Sequence, residues 1–180
     1  EEPVRLVCKQ GDIKSLMADI AVHRLDLVIS DCPIPPDLHV KAYNHSLGES
    51  SISFFAHKDI VGRYTNNFPQ SLKNARFLLP SSTTPLRRAL DDWFERSGIT
   101  PDIVAEFDDS GLLKAFGEAG GGIFPAPSVI AKEIRSMYSV EELGYAEGLR
   151  ERYYAISPER KIRHPSIELI TKAARAQLFV

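Results

Sequence analysis

Hydrophobic and polar positions follow two different periods along the chain, and each period predicts one kind of element. Residues 4–8 alternate and include β-branched side chains, which is the pattern of a strand. Apolar residues then recur at helical spacing over residues 13–20, with Asp12 placed to cap that helix. Residues 25–30 end in an apolar run typical of a strand buried on both faces of a parallel sheet. The opening segment therefore predicts a β-α-β unit with a right-handed crossover.

Prolines and glycines divide the middle of the chain into further elements. Three prolines in residues 33–36 exclude helix and sheet there, and two strands follow at residues 40–47 and 51–56, joined by Gly48, Glu49 and Ser50. Residues 59–73 are polar and predict a loop. A short buried strand at residues 77–79 then begins a second set of alternating elements.

In the second set, capping residues, prolines and glycines mark where helices begin and end. Thr84 caps a helix that has Pro85 at its first position and Gly98 after its end. A strand at residues 103–107, a helix capped by Ser110 and a strand at Ile123 and Phe124 follow. Further along, the pattern predicts a helix from Pro127 and Ser128 to about Met137, a late strand at residues 153–156, and a last helix capped by Ser166.

The alternation of strands and helices predicts an α/β fold with two lobes. We expect lobe I to contain residues 1–57 and 152–180, and lobe II to contain residues 58–151. Strands 51–56 and 153–156 would cross between the lobes, with Phe55, His57 and Tyr153 at the hinge. Such a chain is expected to close on a ligand in a cleft between the lobes.

Composition and the absence of catalytic motifs favour a protein that binds a ligand and does not catalyse a reaction. The formal net charge of −2 is not that of a surface which grips DNA phosphates by itself. No apolar stretch is long enough to span a membrane, which predicts a soluble chain, and the two cysteines are too few for a disulfide framework. Histidines and cysteines show no metal-ligand spacing, and no activated nucleophile or phosphate-binding loop is recognisable. We therefore expect no enzyme activity and no cofactor.

A run of four hydroxyl residues is the first candidate site. Ser81, Ser82, Thr83 and Thr84 lie between a predicted strand and a helix N-terminus, where free amide groups and the helix dipole favour anions and polar ligands. Helix capping is the alternative, and it would explain Thr84 alone.

Acidic residues at predicted strand ends form the second candidate site. Asp108 and Asp109 follow the strand at residues 103–107, and their oxygens could hold a hard cation such as Na⁺. Alternatively, Asp108 ends the strand and Asp109 caps the next helix. Asp31 follows the last strand of the opening unit and would face Asp108 across the cleft, although it could equally cap the proline-rich turn.

The order of motifs resembles the effector-binding domain of LysR-type transcriptional regulators. The resemblance rests on Gly11-Asp12 opening a helix, on residues 25–30, on Trp93-Phe94 near the end of the helix at 86–99, and on segment 120–127. Residues 29–34 and 106–117, together with Ala126-Pro127 and His164-Pro165, are similar to one branch of the family, the NhaR type, whose members activate sodium/proton antiporter genes.

The resemblance implies a fold, a partner and a signal. The fold would be the two-lobed type II periplasmic-binding-protein kind, truncated here before its second strand, so that strand 4–8 is left as an edge that recruits a partner chain. The protein would be cytoplasmic and would form dimers, or tetramers at full length. It would contact DNA only through an upstream winged helix-turn-helix that this chain lacks. A solute-binding protein of a transport system is the alternative with the same fold.

Shared positions at predicted strand ends suggest where the effector binds. Its site would lie at Asp31, Ser81, Ser82, Thr83, Asp108 and Phe124. The resemblance adds sodium as the signal, which would be held at Asp108 and Asp109.

Overall fold

The computed structural model describes residues 4–162 and 164–179, and these form two compact units. Unit 1 contains Glu1–Glu49 and Arg152–Val180, and unit 2 contains Ser50–Glu151. The chain thus passes between the units at 49/50 and at 151/152. The first crossing point differs from the expected 57/58, because residues 52–56 are buried within the core of unit 2.

Six strands and six helices make up the described residues. The strands are β1 (Val28–Ser30), β2 (Tyr43–His57), β3 (Arg76–Pro80), β4 (Asp102–Phe107), β5 (Phe124–Pro127) and β6 (Val140–Ser157). The helices are α1 (Ile13–Ala21), α2 (Lys58–Val61), α3 (Pro85–Ser97), α4 (Ser110–Glu118), α5 (Ala131–Met137) and α6 (Pro165–Gln177). Among these helices, none has the length and apolar character that a membrane span requires.

The first predicted helix is confirmed as α1 in unit 1. Asp12 caps it, because its carboxylate accepts hydrogen bonds of 3.0 Å from the amides two and three residues on. The apolar face of α1 buries Met17 and Ile20 in a small core with Val28 and Ile156. Helical spacing in this segment therefore identified both the element and its buried face.

The predicted strand at residues 4–8 is wrong, and with it the parallel β-α-β unit. Those residues form no strand, and Leu6 and Val7 are 68% and 76% exposed. The following strand, β1, has three residues and runs antiparallel to β6, with Val28 opposite Ile156. A strand needs a hydrogen-bonding neighbour, and in the part of the chain that the structure describes β1 ends the sheet order β1-β6-β2-β5.

Two long strands replace several shorter predicted ones. The strands predicted at 40–47 and 51–56 are one continuous strand, β2, and the late strand at 153–156 is the end of the eighteen-residue β6. The sequence predicts a break at residues 48–50, but pairing keeps β2 extended through these residues, since β2 and β6 are neighbours in the sheet. In the segment predicted as a polar loop, α2 forms one short turn of helix.

Unit 2 has apolar clusters on both sides of β2. Phe54 lies on the side where α3 packs, in contact with the rings of Phe77, Trp93 and Phe94. Phe55 lies in a second cluster of buried residues, which also contains Phe124. Successive side chains of a strand point to opposite faces, so an uninterrupted apolar run is what a strand covered on both sides needs.

The second α/β set of unit 2 forms as the sequence predicts, except that Asp109 and not Ser110 caps the helix after β4. Strands β3 and β4 are parallel, and a parallel bridge joins Phe77 to Ile123 just before β5. Thr84 caps α3, Pro85 begins it, and Gly98 ends it in the left-handed conformation, with φ of 65°. β5 pairs antiparallel with β2, so β2 runs opposite to β3, β4 and β5.

Candidate functional site

The carboxyl ends of β3, β4 and β5 lie at one edge of unit 2, because these three strands run in the same direction. Each end leads into a polar residue: Ser81 follows β3, Asp108 follows β4, and Ser128 follows β5. We call this edge, with residues 81–84, 108–109 and 128, the carboxyl edge. In open α/β sheets ligands bind beyond the carboxyl ends of the strands.

The hydroxyl run forms a turn that is hydrogen-bonded to the end of β4. The amide of Ser81 donates to the carbonyl of Phe107 at 2.9 Å, which brings this turn beside Asp108. The amide and the hydroxyl of Thr84 both donate to the carbonyl of Ser81, at 3.1 and 3.0 Å. Ser82 and Thr83 are exposed at the tip of the turn. The capping role of Thr84 is therefore observed, and the other hydroxyls are not needed for it.

The two adjacent carboxylates have different surroundings. Asp109 caps α4, since its Oδ1 accepts the amide of Leu112 at 2.7 Å. Asp108 is exposed and has no hydrogen-bond or ion-pair partner among the described residues. Within residues 4–162 and 164–179, no cluster of three or more histidine, cysteine or acidic side chains could hold a metal ion. Any cation here would need oxygen ligands from hydroxyls and carbonyls beside Asp108.

One basic group lies close to these carboxylates. Lys114, on the first turns of α4, donates to the carbonyl of Ser110 at 3.0 Å. Burial lowers the pKa of this ammonium, and the nearby charge of Asp109 opposes that effect. The Lys114 ammonium is therefore held at the start of α4, close to the carboxylate of Asp109 that caps the helix.

Replacing Asp109 with alanine separates capping from ligand binding. The variant is expected to lose about 1 kcal/mol of unfolding free energy, because the Leu112 amide loses its acceptor. Asp108→Ala is the matched control and is expected to change stability by less than about 0.5 kcal/mol. Urea unfolding followed by the fluorescence of Trp93, the single tryptophan, measures both. Equal losses in the two variants would show that Asp108 also supports the fold.

Phe124 lies in the core, away from the surface of the carboxyl edge. It is fully buried, and its ring stacks on Phe55 with centroids 5.6 Å apart. The apolar cluster around it includes Leu113 and Ile134. These contacts explain Phe124 by packing, and they give it no exposed atoms for an effector.

Arg87 is the side chain at this edge that the sequence did not single out. It is on the first turn of α3, is 7% exposed, and donates to the carbonyl of Pro80 and the carboxylate of Glu106 at 3.1 and 2.6 Å. Its Nε also donates to Asp91 at 2.9 Å. Desolvation favours the neutral form, but the hydrogen bonds and charges of Glu106 and Asp91 outweigh it and raise the pKa of the guanidinium.

A buried hydroxyl chain connects the third strand end to its neighbours. Ser53 on β2 is fully buried; its hydroxyl lies 2.6 Å from the hydroxyl of Ser128 and donates to Glu142 on β6 at 2.6 Å. Ser50 accepts the amide of Val129 at 3.2 Å. A serine in the middle of a strand buried on both faces was the available signal, since a buried hydroxyl needs a partner.

The remaining predicted site residues belong to unit 1 or to other parts of unit 2. Asp31 belongs to unit 1, where it is exposed just after β1. Among the predicted hinge residues, Phe55 is buried inside unit 2, and His57 accepts the amide of Asp59 at the start of α2, with 3.3 Å between the nitrogens. Tyr153 follows the 151/152 crossing point and stacks on Phe179 with centroids 5.3 Å apart.

Two surface depressions of about 450 Å³ each lie elsewhere on unit 2, beside α3 and β6. Arg96 lines both, and aromatic side chains, among them Trp93 and Tyr145, line the first. Neither contains a residue of the carboxyl edge. Volume therefore does not favour the carboxyl edge; its position beyond the carboxyl ends of parallel strands and at a helix N-terminus does.

Known proteins similar to this chain are regulators. The family described as the LysR substrate binding domain matches residues 3–178. The transcriptional activator protein NhaR of Escherichia coli K12 is 34% identical over 178 residues, and so is that of Shigella flexneri. Those matches cover 99% of this chain and 58% of each relative. The chain thus spans well under two thirds of the curated relatives.

Solved structures agree in fold at low sequence identity. The effector-binding domain of QuiR, solved with shikimate, superposes with a TM-score of 0.64 at 19% identity, covering 95% of this chain and 81% of that one. A LysR-family regulator from Pseudomonas aeruginosa superposes with a TM-score of 0.68 at 17% identity, covering 94% of this chain and 59% of that one. These neighbours carry the type II periplasmic-binding-like fold of LysR effector domains, as predicted. The chain therefore belongs to the LysR substrate binding domain family.

Proposed function

We propose that this chain is the sensing domain of an NhaR-like transcriptional activator and that its effector binds at the carboxyl edge of unit 2. The observation that carries the proposal is the backbone hydrogen bond from Ser81 to Phe107, which joins the turn with its exposed hydroxyls to the end of β4, where the exposed Asp108 follows. The 34% identity to NhaR supports the regulator class. Regulation of a sodium/proton antiporter gene follows from that resemblance.

The effector is a small polar species, and Na⁺ is our candidate. Sodium prefers oxygen ligands, as other hard cations do, and the turn offers hydroxyl and carbonyl oxygens next to one carboxylate. Ser82, Thr83 and Asp108 are the proposed ligands. Asp109 is excluded from this set, because its Oδ1 already accepts the amide of Leu112. Asp31 on unit 1 stays a separate prediction.

A longer protein would convert this binding into gene regulation. In such a protein, as in the family, a DNA-binding domain outside this chain would make the contact with DNA, and dimers would present two such domains. The net charge of −2 supports a DNA contact made outside this chain, since a surface that binds DNA phosphates needs an excess of positive charge.

A sodium titration of the 180-residue chain tests the site. Na⁺ replaces K⁺ at constant ionic strength while amide chemical shifts are recorded by NMR. We expect saturable shifts at Ser82, Thr83 and Asp108, and we expect Asp108→Asn to remove them. Asp109→Asn is the matched control, since it removes the same charge but keeps a good capping side chain, and its response should stay within about twofold of the unchanged chain.

Two results would contradict the proposal. If K⁺ and Na⁺ give the same spectra throughout, the sodium site is wrong. If Asp108→Asn responds like the unchanged chain, the ion binds elsewhere, and the carboxyl edge is not its site.

A further inference from the structure

Arg87 is a buried cation whose contacts lie where β3 and β4 reach the carboxyl edge. Its side chain is 8% exposed, whereas arginine is rarely buried unless it is paired. Two of its three hydrogen bonds go to Pro80, the last residue of β3, and Glu106, the residue before the last in β4. One planar group therefore connects the two strand ends that lead into the 81–84 turn and Asp108.

The backbone of the same residue holds the other end of the turn. The Arg87 amide donates to the hydroxyl of Thr84 at 3.2 Å, and that hydroxyl donates to the carbonyl of Ser81. Side chain and backbone of Arg87 thus contact the residue before the turn and the residue that closes it. Between these two points, Ser82 and Thr83 remain exposed.

Stability alone is a weak reason for this arrangement. A cation at the first turn of a helix opposes the helix dipole, and buried ion pairs contribute little net stability because their desolvation is costly. Glu106 and Asp91 offset the charge of Arg87 from two directions. What a rigid guanidinium fork adds is fixed geometry between the groups that it contacts.

We propose that Arg87 is a positioning residue, which fixes the 81–84 turn against the end of β4 so that its hydroxyls face the same ligand as Asp108. The inference deepens the proposed function and rests on it. It assigns to Arg87 no contact with the effector.

Arg87→Lys tests this inference in the 180-residue chain, with Arg96→Lys as the matched control. Lysine keeps the charge but lacks the planar fork through which Arg87 contacts Pro80, Glu106 and Asp91. Arg96 is exposed near the other end of α3, and its Nε donates to the carbonyl of Asp92 at 3.2 Å. Amide hydrogen exchange measured by NMR at Ser81 and Thr84 reports the turn, and exchange at Leu78, bonded to Ile123 in the sheet, reports the fold.

We expect Arg87→Lys to speed exchange at Ser81 and Thr84 by about tenfold or more while Leu78 changes by less than about twofold. Arg96→Lys should leave all three amides unchanged. Unchanged exchange at Ser81 and Thr84 in Arg87→Lys would overturn the inference. If that variant does not fold, Glu106→Gln serves instead, because it removes one acceptor charge at a partly exposed position and should speed the same two amides.

A sodium titration separates positioning from a purely structural role. We expect Arg87→Lys to raise the Na⁺ concentration at half-maximal shift by about tenfold, with Arg96→Lys unchanged. A loosened turn with unchanged sodium response would overturn the positioning role. If the unchanged chain gives no sodium response, the proposed sodium site fails, and the exchange data still decide whether Arg87 holds the turn.

Discussion

Phe54→Ala is expected to lower the free energy of unfolding by about 3–5 kcal/mol. The side chain is fully buried, and four aromatic rings surround it with centroids between 5.2 and 6.4 Å away, those of Phe68, Phe77, Trp93 and Phe94. Removing the ring loses its burial and leaves a cavity between β2 and α3 that these neighbours cannot fill without leaving their own contacts. Urea unfolding monitored by Trp93 fluorescence or by circular dichroism measures the loss.

Phe116→Ala provides the matched control for this prediction. Its ring is 52% exposed on α4 and touches Phe107, with centroids 5.1 Å apart. The same substitution should cost less than about 1.5 kcal/mol there, because half of the ring is already in water. Comparable losses at Phe54 and Phe116 would mean that the core of unit 2 is not organised around β2 as described.

The fold could be predicted where local signals and burial agree. Thr84, Pro85 and Gly98 define both ends of α3, and each acts locally: the Thr84 hydroxyl accepts a backbone amide, the Pro85 ring fixes φ, and Gly98 has no Cβ to oppose its φ of 65°. The prediction of a strand at residues 4–8 was wrong because alternation alone does not make a strand. Another strand must pair with it, and the local sequence does not determine that pairing. The length of β2 and β6 was missed in the same way, because neighbouring strands hold Gly48 and Gly144 in extended segments.

The site could be predicted as far as topology determines it. Parallel strands end at one edge, so Ser81 and Asp108 were expected together, and the hydrogen bond between Ser81 and Phe107 confirms that they are adjacent. Arg87 could not be identified, because an arginine on the first turn of a helix has the same sequence pattern whether it is buried or solvated. The guanidinium is fixed only because the fold places the carbonyl of Pro80 and the carboxylate of Glu106 within hydrogen-bonding distance.

Ser53 shows a second limit of sequence reasoning about the site. Its partners Ser128 and Glu142 are 75 and 89 residues away, so only the packing of β2 against β5 and β6 brings the three together. Phe124 is the opposite case, because the sequence suggested an effector contact that the structure does not require. Burial and stacking against Phe55 explain this residue by packing alone.

Gly117→Ala is expected to destabilise the protein by about 1–3 kcal/mol, although alanine is the better helix former by about 1 kcal/mol. Gly117 is buried within α4, and a Cβ added there would lie 2.2 Å from Cδ1 of Phe124. That ring cannot withdraw freely, because it is fully buried and stacked on Phe55. Packing therefore outweighs propensity and reverses the usual sign of a glycine-to-alanine change within a helix.

A smaller side chain at position 124 should restore part of the loss. Phe124→Leu alone is expected to cost about 1–2 kcal/mol through lost burial, but it removes the atoms that the new methyl group would meet. The double variant should then be more stable than the sum of the two single losses predicts, by about 1 kcal/mol or more. Urea unfolding of the unchanged chain and the three variants measures this coupling. Strictly additive losses would show that Gly117 and Phe124 do not limit each other, and that the glycine is required for the backbone of α4 instead.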